Sequence, residues 1–216
     1  MYFNITKQEQ YSRGELLLRT FFGVFYIGLP HGLLLAFYGI ASQVLAFISF
    51  WVILFTGSYP ESFYEFQVKL LNWNMRVNAS IYNLIDGYPS FGLNGDHPLV
   101  QLVVPYPENL SRSKALLKFL FGWLYIVLPH MFLLYFRVLW GMVLHFVAFW
   151  VVLFTGDYPE SMFEFQVGTF RWSIRFNLYL SYMTDKYPPF TGQLLPEEVE
   201  EAASKATDNN PSDLSE

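Results

Sequence analysis

Two blocks of apolar residues dominate the chain, one from Leu16 to Phe55 and one from Leu116 to Phe154, and polar residues gather before, between and after them. A single bilayer crossing needs about 20 apolar residues. Blocks of this length therefore predict two crossings each, joined by one turn. The turn is placed at Gly39 to Ser42 in the first block and at Arg137 to Gly141 in the second. Arg137 is the clue, because a charge at mid-span costs about 2.5 to 3.5 kcal/mol on insertion scales but reaches the headgroups from a turn. A rival layout breaks at the proline of Leu29-Pro30-His31 instead.

After each block the pattern changes to a helical period. Thr-Gly-x-Tyr-Pro-Glu-Ser stops one helix at Gly57 or Gly156 and opens another with Pro and Glu at its start. Over residues 60 to 85, at about 100° per residue, Glu65, Asn72, Arg76 and Asn83 form one stripe flanked by apolar rows. The second copy repeats this with Glu164, Arg171, Trp172 and Arg175. The reading is an amphipathic helix at the membrane surface, its rings in the headgroup zone and its basic groups on lipid phosphate. Trp73, Arg76, Trp172, Arg175, Arg171 and Lys69 are the expected contacts with lipid or a partner.

The halves are a duplication. Leu29-Pro30-His31 returns as Leu128-Pro129-His130, and an offset of 99 residues carries Trp51 to Trp150, Glu65 to Glu164, Trp73 to Trp172, Arg76 to Arg175 and Asp86 to Asp185 without a gap. Roughly half of the aligned positions are identical, as expected for a duplicated structural unit. The organisation predicted is an N-terminal segment 1–13, repeat 1 over 14–91, a linker 92–112, repeat 2 over 113–192 and an acidic disordered tail 193–216. The fold class is an all-α membrane protein: four transmembrane helices as two repeated hairpins, each followed by a cytoplasmic interfacial helix. Two crossings per copy make the repeats parallel.

Composition agrees, with 53% hydrophobic, 20% aromatic and only 14% charged residues. The net charge of -5 argues against a nucleic-acid partner, and the absence of cysteine excludes disulfides, thiolate metal sites and a cysteine nucleophile. Lys and Arg gather before, between and after the predicted hairpins, with Arg137 alone at a turn on the other side, which puts both termini in the cytoplasm. Gly14, Gly23 and Gly28 permit close packing, so a homo-oligomer is allowed.

Candidate chemistry is sparse. His31 and His130 are the only repeated histidines, and a shared metal or haem lacks a carboxylate to complete it. The preferred reading has each histidine bonded to a carbonyl freed by its neighbouring proline. Glu65 with Arg76, and Glu164 with Arg175, are read as structural ion pairs rather than a proton relay. Ser62 and Ser161 have no paired base and are read as helix caps. No enzyme activity and no cofactor is expected.

The order Leu-Pro-His, Trp-x-x-Leu-Phe-Thr-Gly-x-Tyr-Pro, Trp-x-x-Arg, then Thr184-Asp185-Lys186-Tyr187-Pro188-Pro189-Phe190 resembles bacterial membrane proteins grouped as a domain-of-unknown-function family. The resemblance covers residues 14 to 91 and 113 to 192. The first copy departs from it at Ser90, where the second has Pro189. The resemblance implies a bacterial inner-membrane location and implies no activity. The expected function is a non-enzymatic accessory or scaffold subunit that grips phospholipid and joins other membrane subunits. A small oligomeric transporter and a lipid-handling protein are the alternatives.

Overall fold

The computed structural model describes residues 1–200 and residue 203. The elements run β1 (Tyr2–Ile5), α1 (Arg13–Thr56), α2 (Glu61–Ile81), β2 (Val100–Val103), α3 (Arg112–Thr155) and α4 (Glu160–Leu180), with residues 196–200 again helical. Helices α1 and α3 are each 44 residues long, with mean hydropathy of 2.0 and 2.1 over their most apolar stretch. Both are long and apolar enough to cross a membrane.

Neither block turns back on itself. Residues 39–42 and 137–141 lie within unbroken helix, so the predicted hairpins and their four spans are replaced by two long helices. Gly39-Ile40-Ala41-Ser42 contains no proline, and one interior glycine costs only about 1 kcal/mol. Arg137 needs no turn to reach headgroups, because α4 supplies its partners: Nε donates to Thr169 Oγ1 at 2.9 Å and Nη2 to the Phe165 carbonyl at 3.2 Å. Its guanidinium also lies 4.2 Å from the centre of the Phe165 ring. The one irregularity of each long helix is a π turn at Val24–Gly28 or Trp123–Val127, immediately before Pro30 or Pro129. Proline cannot donate to the helix ladder, and a π bulge is a common way to absorb that.

Serines cap the starts of the long helices, with Ser12 Oγ accepting from the Glu15 N–H and Ser111 Oγ from the Lys114 N–H. Left-handed glycines end them, Gly57 at φ 81° and Gly156 at φ 79°, where a side chain would be strained. The Gly57 carbonyl then accepts from Leu110 N–H at 2.8 Å, and the Gly156 carbonyl from Tyr11 N–H at 2.9 Å. Each long helix therefore ends against the segment that leads into the other. Phe50 stacks on Phe119 at 4.5 Å and Phe21 meets Phe149 edge-on at 6.5 Å, start against end in both cases. The long helices are antiparallel and the repeats are related by a two-fold, not by the parallel arrangement expected from two crossings per copy.

The same two-fold pairs β1 with β2 in antiparallel register, Tyr2 opposite Val103 and Ile5 opposite Val100. Segments 1–13 and 92–112, read from the sequence as an end and a linker, thus belong to the repeat. They lie on α2 and α4: Tyr64 donates to the Pro105 carbonyl at 2.6 Å, and Arg171 Nε to the Phe3 carbonyl at 2.8 Å. Three layers result. The strands and connecting segments cover α2 and α4, and α2 and α4 cover one stripe of α1 and α3.

That position overturns the surface reading of α2 and α4. Trp73 and Arg76 are fully buried, and Trp172, Arg171 and Arg175 nearly so, whereas Lys69 is exposed. A polar stripe at helical period fits a water-facing surface and a surface covered by polar chain equally well. In the predicted tail, Glu198 is buried against Arg175 rather than solvated. The rest of that tail lies outside the described residues.

Candidate functional site

The residues repeated most strictly converge on one constellation in each half. His31 projects from α1 one residue after the helix-breaking proline, and Trp73 from the facing side of α2; the indole N–H donates to His31 Nδ1 at 2.9 Å. The Trp172 indole does the same to His130 Nδ1, again at 2.9 Å. An acceptor at Nδ1 fixes the neutral tautomer with its proton on Nε2. Both Nε2 atoms are buried without a hydrogen-bond partner among the described residues. Phe91 covers His31 at 4.3 Å between ring centres, and Phe190 covers His130 at 4.2 Å. The histidines are thus sealed under aromatic rings, and neither bonds the carbonyl freed by its proline.

Tyrosine takes that role. The Tyr88 hydroxyl donates to the Tyr26 carbonyl at 3.2 Å, and Tyr187 to the Tyr125 carbonyl at 2.9 Å. These carbonyls lie four residues before Pro30 and Pro129, where the missing N–H would have pointed. The Asp-x-Tyr-Pro motif is therefore a brace for the long helix at its proline as well as a turn. Its aspartates hold the helix starts: Asp86 accepts from Ser12 N–H at 2.7 Å and Arg19 Nη2 at 2.6 Å, and Asp185 from Ser111 N–H at 2.6 Å and Lys118 Nζ at 3.4 Å.

The arginines part company between the halves. Arg175 donates Nε and Nη2 to the two oxygens of Glu198 at 2.9 and 2.5 Å, with Nη1 on the Thr191 carbonyl at 2.8 Å. Among the described residues Arg76 bonds only the Gly92 carbonyl, at 2.8 Å from Nη2, and its Nε and Nη1 have no hydrogen-bond partner. Burial pushes the Arg76 guanidinium below its ordinary range, and Asp96 offsets this in part. The expected pairs of Glu65 with Arg76 and Glu164 with Arg175 do not form. Glu65 lies 3.7 Å from Lys69, one turn along the helix, and Glu164 pairs with Arg171 at 3.3 Å. Ser62 and Ser161 cap nothing, since Pro60 and Pro159 hold the cap positions without a side-chain bond.

Gln67 and Gln166 were missed from sequence, although Glu-Phe-Gln-Val is repeated. Each donates Nε2 to a carbonyl in the middle of its long helix, Ser42 at 2.8 Å and Gly141 at 2.6 Å. Beside Gln67 a cavity of about 600 Å³ opens between α1 and α4. Its counterpart by the two-fold holds about 240 Å³. Among the described residues no group of three or more His, Cys, Asp or Glu side chains is placed to hold a metal ion.

A family model described as Domain of unknown function (DUF4389) matches residues 13–92 and again residues 116–192. No curated protein matches the chain, and no solved structure does.

Proposed function

The chain belongs to the DUF4389 family in both of its halves, and from that premise we propose that it is a non-enzymatic membrane scaffold lying along one leaflet. In this reading α1 and α3 rest side by side in the membrane plane, and the polar layer of strands and connecting segments faces the aqueous side as a platform for other membrane subunits.

The observation that carries this reading is the path of the chain between the two ends of α1. Residues 86–110 begin beside Arg19, at the start of α1, and end on Gly57, at its finish, so they travel the length of the helix. They bear Asn94, Asp96, His97, Gln101 and Glu108 and lie partly outside regular structure. Were α1 upright, this segment would cross the hydrocarbon too, where irregular polar chain exposed to lipid does not persist. Length points the same way, since 44 residues of helix extend about 66 Å against a core of about 30 Å. Lying flat, α1 and α3 bury their apolar faces together, because the two-fold then runs along the membrane normal. Only 11% and 17% of their most apolar stretches is buried within the chain. Exposed Phe25, Phe37 and Phe55 on α1, and Trp123, Phe132 and Phe146 on α3, carry that surface from end to end. A continuous apolar surface of this extent marks a membrane contact.

The buried histidines and the tyrosine and aspartate braces support rigidity rather than chemistry, since His31 and His130 are sealed from solvent and the tyrosines and aspartates are engaged in holding helix backbone and helix starts. The placement of Lys and Arg favours the cytoplasmic leaflet of a bacterial inner membrane, with phospholipid as the constant partner. A chain without cysteine allows a direct test. Glu9→Cys marks the start of α1 and Glu61→Cys its end, both at exposed positions. In intact cells and inside-out vesicles, an impermeant maleimide should reach both from the same side. Labelling from opposite sides would show that α1 crosses the membrane and would end this reading.

A further inference from the structure

We propose that the larger cavity beside Gln67 is a binding site for a glycerolipid with an uncharged, hydroxyl-bearing headgroup of the diacylglycerol type. This inference rests on the in-plane placement of α1 and α3, which puts the cavity mouth against lipid. Phe47 and Phe119 rim the mouth, and both are half-exposed on the apolar faces of the long helices.

The lining selects the chemistry. Among the described residues it holds no Asp, Glu, Lys, Arg or His, so neither an anionic nor a cationic headgroup finds a counter-charge. It does hold amides and hydroxyls. Gln67 is engaged with Ser42 at 2.5 Å, whereas Gln43 and Asn177 are exposed and make no side-chain hydrogen bond among the described residues. Free amides bordered by Leu35, Leu71 and Phe119 fit an ester-and-hydroxyl headgroup with an acyl chain leaving past the rings. Polar groups open to hydrocarbon are costly unless a ligand pairs with them.

The second copy shows how the same geometry is closed when no ligand is needed. At the related positions Gly39 becomes Val138, Gln43 becomes Met142, Leu71 becomes Phe170 and Ser181 answers to Tyr82. Tyr82 packs edge-on against Phe170 at 5.3 Å and fills the space. The volume falls from about 600 to about 240 Å³. Duplication left one pocket filled by rings and the other lined by small and amide side chains.

The test uses the full chain in phosphatidylcholine nanodiscs carrying either a photoreactive diacylglycerol or a photoreactive phosphatidylglycerol, with cross-linked peptides mapped by mass spectrometry. The diacylglycerol probe should mark residues 39–47 and 173–182, and the anionic probe should not. Gln43→Leu with Asn177→Leu should lower that marking by about tenfold, while marking of the outer faces around Phe37 and Phe132 is unchanged, which controls for folding and insertion. Equal marking of the cavity by both probes, or undiminished marking in the double variant, would reduce the site to annular lipid. Marking of the outer faces without the cavity overturns the site and leaves the membrane placement standing. No marking of either overturns both.

Discussion

The two halves keep one set of contacts and have lost another, and the division follows what each contact does. The histidine–tryptophan bond is 2.9 Å in both copies, and both tyrosines reach the carbonyl that the proline leaves free. These contacts hold the long helix against its neighbour at the proline, which any copy of the unit must do. The arginine one turn further on is buried in both halves, yet it is paired directly with Glu198 in one, while among the described residues the other has only a carbonyl bond and the more distant charge of Asp96. The chain after repeat 1 also passes over its arginine, at residues 92–96, but it brings a backbone carbonyl and the more distant Asp96 rather than a carboxylate in direct contact. Duplication preserves the brace inside each unit and leaves the surroundings of the unit to whatever chain comes next.

The sharpest way to break this comparison is at the arginines. Glu198→Ala strands a buried guanidinium and should cost about 3 kcal/mol or more in detergent unfolding. Arg76→Met removes a buried charge that has no carboxylate in direct contact, only the partial offset of Asp96, losing one carbonyl bond, and should cost less than about 1 kcal/mol. Equal losses would mean that the two environments are equivalent after all. A smaller effect sharpens the shared part: Trp73→Phe and Trp172→Phe keep most of the packing and remove the N–H that His31 or His130 accepts. Each should lower stability by about 1 to 2 kcal/mol, and by the same amount in both halves. Smaller again, Tyr88→Phe and Tyr187→Phe free the proline carbonyls near a half-exposed surface. About 1 kcal/mol each is expected, read as a fall in the melting temperature in the same detergent.

The repeat, the apolar blocks, the glycine stops and the aspartate and proline motifs were legible because they are local patterns with fixed spacing. What failed was geometry that depends on distant chain. A charge within an apolar run points to a turn when nothing local can satisfy it, and the partners of Arg137, Thr169 and the Phe165 carbonyl, lie on a later helix. Trp73 and Arg76 looked like surface residues because their stripe is mixed, and the covering layer comes from segments read as linker. Glu198 belonged to an acidic run, and charge runs are usually solvated. Gln67 carried the one available hint, repetition within its motif, but an uncharged amide suggests no partner by itself.

The smallest effect expected concerns the last difference between the halves, at the segments that lock the ends of the long helices. Lys7 reaches Asp157 at 2.9 Å and Glu160 at 3.3 Å, just past the end of α3, while its counterpart Tyr106 donates its hydroxyl to the Tyr59 carbonyl just past the end of α1. One lock is ionic and the other neutral, so they should respond differently to solvent. The hydrogen bond with Asp157 raises the Lys7 pKa, against a smaller opposing effect of burial. A raised lysine pKa contributes stability that is complete below the unfolded value and is lost as pH rises through the folded one. Lys7→Met should therefore cost less than about 1 kcal/mol at neutral pH and low salt, and the deficit should close in high salt and in strong alkali. Tyr106→Phe should lose a comparable amount that salt leaves unchanged. A salt response in the tyrosine variant, or none in the lysine variant, would show that charge is not what distinguishes the two ends.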